Sequence, residues 1–83
     1  MKLPRDLSGR GLAQALTAFG YEVTRQSGSH LRLTTHLQGE HHVTIPDHAS
    51  LRVGTLSAIL TEVATHLQLD RSAVVEKLFD RSG

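Results

Sequence analysis

Apolar positions along the chain change their spacing twice, and the changes mark out its elements. Leu12, Ala15, Leu16 and Phe19 recur at helical spacing, so a first helix is predicted from about residue 8 or 9 to residue 19. Ser8 is its N-cap and Gly20 its left-handed stop, while Gly9 and Gly11 weaken the first turn. The spacing then falls to two. Residues 21–25, 31–34 and 43–45 alternate, which predicts three short strands on which the helix can lay its apolar stripe. Residues 47–54 read as a loop. A second helix begins near Gly54 or Thr55, with Leu56, Ile59, Leu60, Val63, Ala64 and Leu67 on one stripe. After a break at Gln68-Leu69-Asp70, a third and shorter helix has Asp70 as N-cap and Val74, Val75, Leu78 and Phe79 as its apolar side.

Strand register follows from asking which loops put every apolar residue on one face, because a slip of one residue turns a whole strand over. A three-residue loop at 26–28 pairs Val23 with Leu31 and Tyr21 with Leu33; another at 37–39 pairs Leu33 with Val43 and Leu31 with Ile45. Both loops place glycine third, the left-handed position of such a hairpin. The expected class is α+β, in the order αβββα with a three-stranded antiparallel sheet and an extra C-terminal helix. One domain covers residues 1–83, its core at about 1–69 and the added helix at about 70–80. The outer sheet face then carries Glu22, Thr24, His30, Arg32, Thr34, His42 and Thr44, all polar. In this register His30 lies between Thr24 and Pro46, and His48 is the nearest second imidazole.

Composition narrows the chemistry. Eighty-three residues bury only about 60% of the surface of the unfolded chain, which disfavours a deep enclosed pocket. Without cysteine there is no disulfide framework and no thiolate metal site. No apolar run is long enough for a membrane span, and the N-terminus lacks the pattern of a signal peptide, so a soluble cytoplasmic protein without membrane contact is expected. The net charge of +1 is too small to argue for nucleic acid by itself, although protonating all six histidines raises it to +7. Three aromatic residues, Phe19, Tyr21 and Phe79, are too few for a base-stacking platform.

Among sites, a metal centre is not expected. His36, His41, His42 and His48 form no helical i, i+4 pair, and neighbours such as His41 and His42 point to opposite faces of a strand. Ser29 beside His30 lacks the surroundings of a hydrolase nucleophile. What remains is acid–base work by His30, held on a strand between inward-facing Leu31 and Leu33 yet turned to solvent. Cleaving RNA without a metal needs a base at the ribose 2′-hydroxyl and an acid at the departing 5′-oxygen, and imidazole serves either step near neutrality. Arg25, Arg32 and Lys2 are cations able to face the phosphate. Arg32 is equally suited to pair with Glu22 across the strands.

As a whole the chain resembles the HicA (YcfA-like) toxins of bacterial toxin–antitoxin pairs. The likeness rests on Met1-Lys2-Leu3-Pro4, Ser8-Gly9-Arg10, Gly20-Tyr21, Arg25-Gln26 and Gly28-Ser29-His30. It continues through Val43-Thr44-Ile45-Pro46, His48, Gly54-Thr55-Leu56 and Ile59-Leu60, and it covers about residues 1–69. Gly11 departs from it, standing where members commonly carry a charged helix former such as Glu. The resemblance implies a double-stranded-RNA-binding-domain-like fold, ribosome-independent mRNA cleavage that arrests translation and growth, and neutralisation by a HicB-type antitoxin. It places the essential histidine at His30, with His48 as a candidate helper; Lys2, Arg25, Ser29 and Arg32 are the expected RNA contacts, and no cofactor is implied. Two other readings stand beside it: a non-catalytic RNA- or protein-binding module of the same fold, and a homo-oligomer built on the polar sheet face or the third helix.

Overall fold

Ser8 starts the first helix as expected, its hydroxyl accepting a hydrogen bond of 2.9 Å from the Gly11 amide. The computed structural model describes residues 3–79, so Lys2 and the predicted end of the third helix at residue 80 lie outside the described residues. Helix α1 (Gly9–Ala15) tightens into a 3-10 turn, Leu16–Phe19, where a single longer helix was predicted. The tightening satisfies carbonyls at a helix end: the Gly20 amide reaches Thr17 at 3.0 Å, and Gly20 adopts the left-handed φ of 80° that stops the run.

Three antiparallel strands follow, β1 (Glu22–Ser27), β2 (His30–Thr35) and β3 (His41–Pro46), in spatial order β1-β2-β3. The β2–β3 register is the predicted one, Leu33 opposite Val43 and Leu31 opposite Ile45, with Gly39 left-handed in the third place of the 37–39 loop. The first hairpin differs. Val23 lies opposite Leu33 and Gln26 opposite Leu31, not Val23 opposite Leu31, and the register shifts at a β-bulge between Val23 and Arg25. The predicted three-residue loop at 26–28 is a two-residue turn of Gly28 and Ser29. Gly28, at φ 57°, occupies the first place of that turn, where a glycine with positive φ matches the twist of a type II′ hairpin.

The slip has a physical cause. With only Tyr21 and Val23 as apolar markers, β1 contains too little alternation to pin its own register. Tyr21, just before the strand, is fully buried, and Val23 is left 49% exposed. His30 therefore has Ser27 and Pro46 as cross-strand neighbours, not Thr24 and Pro46. Beyond the bulge the inside-outside parity of β1 is reversed, so Arg25 stands opposite Arg32.

Helix α2 (Val53–Leu67) starts a residue ahead of the predicted Gly54 or Thr55, because the Leu56 amide bonds back to the Arg52 carbonyl at 2.9 Å. All six residues of its predicted stripe are buried. Gln68 ends it with a φ of 58°, and α3 (Arg71–Phe79) folds back with Val74 and Val75 buried and Leu78 and Phe79 packed against the core. The inner faces of α1 and α2 pack on the sheet residues Leu31, Leu33, Val43 and Ile45, and α3 extends the same core by packing on α2 and the 3-10 turn.

Candidate active site and polar sheet face

His30 is fixed by its neighbours in sequence. Leu31 and Leu33 on either side of Arg32 are 1% and 0% exposed, and strand alternation then forces His30 and Arg32 outward, where both are exposed. The ring thus stands on backbone locked by core packing. The ladder continues past β3, the Asp47 amide donating to the Ser29 carbonyl at 2.7 Å. The Asp47 carboxylate in turn accepts from Arg10 of α1 at 3.0 Å, and the Gly9 amide donates to the His48 carbonyl at 2.9 Å.

Gly9 makes this junction possible. A β-carbon there would lie 2.0 Å from the Pro46 carbonyl oxygen, so only glycine lets α1 approach the exit of β3 this closely. The start of α1, the Gly28-Ser29 turn and the segment after Pro46 are stitched together at the His30 end of the sheet. Ser29 is exposed and contributes its carbonyl, not its hydroxyl, to this stitching. His48 is exposed two residues beyond the cross-strand partner of His30, and among the described residues no hydrogen bond joins the two rings. Arg10 and Asp47 are the neighbours that sequence reasoning missed; residues 37 apart leave no local signal of meeting.

Farther along the outer face, a hydrogen-bonded row crosses all three strands. The Glu40 carboxylate accepts from His42 Nε2 at 2.9 Å, which leaves Nδ1 of a neutral ring to accept from the Thr34 hydroxyl at 2.7 Å. Thr34 and Thr24 share a further bond of 2.8 Å. These partners explain why polar Thr34 is only 8% exposed on a face predicted to be open. Beside the row, a shallow groove of about 430 Å³ is lined by Thr24, Arg25, Arg32, Thr34, His36, Glu40 and His42. The Arg32–Glu22 ion pair allowed by the sequence is not formed, and among the described residues neither Arg25 nor Arg32 has a carboxylate within 4.0 Å.

His41 points the opposite way from His42, as alternation requires. Its Nδ1 shares a 2.8 Å hydrogen bond with the Tyr21 hydroxyl, and its ring stacks on that of His66 at 4.3 Å. His66 Nε2 donates to the Leu37 and Gly39 carbonyls, anchoring α2 to the β2–β3 loop. Burial first, then Glu62, pushes the Tyr21 phenol up to about 12. Burial first, then His66, holds His41 below the ordinary imidazole range, with Glu62 opposing. This cluster secures the end of the sheet remote from the Gly28-Ser29 turn.

The αβββα order, one antiparallel sheet with helices before and after it, defines a small α+β domain whose fold is like that of double-stranded-RNA-binding domains, here with a solvent-facing strand histidine. The family model described as "HicA toxin of bacterial toxin-antitoxin" matches residues 9–64, more than half of the chain, and the chain belongs to that family. The matched span contains His30, His48, Arg25, Ser29 and Arg32. Searches of curated proteins and of solved structures found no match. Among the described residues, no helix is long and apolar enough to cross a membrane.

Proposed function

We propose that this HicA-family chain is an endoribonuclease that cuts mRNA in the cytoplasm without a metal or the ribosome and is held in check by a HicB-type antitoxin. The observation that carries the reading is the exposure of His30 on strand backbone fixed by Leu31 and Leu33. In the reaction His30 takes the proton from a ribose 2′-hydroxyl as that oxygen attacks the adjoining phosphorus. A cyclic 2′,3′-phosphate forms, the bond to the 5′-oxygen breaks, and that oxygen leaves with a proton from a second group, for which His48 is the candidate. Arg25, Arg32, Ser29 and Lys2 bind the RNA. The antitoxin acts by covering His30.

Inducing the chain in a bacterium with and without His30→Ala tests the reading. Growth should stop with the parent chain and continue with the variant. Purified parent chain should cleave RNA in the presence of a chelator, with product loss on the order of a thousandfold in the variant. Equal arrest by both forms would remove His30 from the mechanism, and salt-sensitive RNA binding without any product would make the chain a binding module instead.

A further inference from the structure

We propose that the outer face of β2 and the groove beside it form a track for the backbone of a single RNA strand, in which Arg25 and Arg32 hold the phosphate next to the one cleaved at His30. This inference rests on the nuclease reading and says how the substrate lies.

Four features converge on it. First, the bulge at Thr24 brings Arg25 onto the face of Arg32 and His30, a face it would not share in a regular strand. Bulges commonly re-aim a side chain beside a working site. Second, Arg25 and Arg32 are direct cross-strand partners, an arrangement of like charges that costs stability. Third, among the described residues no carboxylate lies within 4.0 Å of either guanidinium, so neither charge is held in an ion pair. An anion seated between the guanidiniums removes the repulsion, and a phosphodiester matches their planar donor forks.

Spacing supplies the fourth. His30, Arg32 and Thr34 succeed one another on one face of β2 at steps of about 6.7 Å, a repeat like that of an extended nucleotide backbone. With the reacting phosphate at His30, the next falls at the arginine pair. Glu40 also lines the groove, and its carboxylate disfavours a further phosphate beside it. The imidazoles of His36 and His42 flank that position. The groove is open and shallow, suited to a strand laid across it and not to an enclosed nucleotide.

The test uses the full chain and a short RNA with a 2′-deoxy sugar at the cleavage position, which binds and is not cut. Arg25→Ala and Arg32→Ala should each weaken binding about tenfold and lower the dependence of log affinity on log salt by about 0.7. On cleavable RNA both should raise KM with kcat nearly unchanged, and Arg25→Lys should restore part of the affinity. Parental affinity and salt slope in the double variant would overturn the track, and so would loss of kcat with binding intact, which would seat the guanidiniums at the reacting phosphate. If the parent chain cleaves nothing but binds RNA in an arginine-dependent way, the track stands as a binding surface and the nuclease reading falls. If cleavage depends on His30 and the arginine variants behave like the parent, the nuclease reading stands and the track falls.

Discussion

The phenol of Tyr21 and the imidazole of His41 make one hydrogen bond of 2.8 Å but push the pH dependence of stability in two separate ranges. His41 titrates lower in the folded chain than in the unfolded one, so the folded state binds fewer protons. Stability is therefore complete above the ordinary imidazole pKa of about 6.5 and declines as pH falls through and below it. Tyr21 behaves in the other sense. Its folded value of about 12 lies above the ordinary phenol value of 10.0, so its contribution is full below 10.0 and is lost as pH rises towards 12. Two units correspond to on the order of 2 kcal/mol for a ring as buried as this one. Urea midpoints across pH should show both slopes. His41→Gln, which can still accept from Tyr21, should flatten the acid side, and Tyr21→Phe the alkaline side.

At the level of the elements, the junction of α1 with the end of β3 is the most sensitive. Gly9→Ala puts a carbon into the Pro46 carbonyl, and the backbone shift should cost about 1–3 kcal/mol in thermal melts while also displacing the Asp47–Ser29 link beside His30. This close approach is invisible in a sequence, where Gly9 reads as a weak helix residue. By contrast α2 was legible because its six stripe residues repeat over about three turns and leave one packing solution. The β2–β3 pair was legible because Leu31, Leu33, Val43 and Ile45 fix each other. In β1 two apolar residues decide nothing, and the bulge shifts the parity of everything after Thr24. The candidate site divides the same way: the outward turn of His30 follows from its leucine neighbours, whereas the face of Arg25 depends on a backbone irregularity with no side-chain signature. Alternation placed His42 and Thr34 on one face, and it was silent on Glu40, which joins them from the preceding loop.

For the whole molecule, loss of the fold and loss of the chemistry should be separable. A single core serves every element, and Leu60 is completely enclosed in it. Leu60→Ala should cost about 2–5 kcal/mol, a large share of the total for a domain this small, and lower the melting midpoint visibly. His30→Ala removes an exposed ring and should leave the melt near that of the parent chain, so calorimetry on the pair distinguishes the two routes to inactivity. The same irregularity that turns Arg25 outward also bears on how these molecules behave in crowds. β1 is a margin of the sheet, exposed along its whole length, and a straight margin of that kind invites a second copy to add on and begin a fibre. Interrupted at Thr24, it offers an incoming strand no continuous set of partners, so concentrated solutions should stay clear where a chain lacking Thr24 clouds over time.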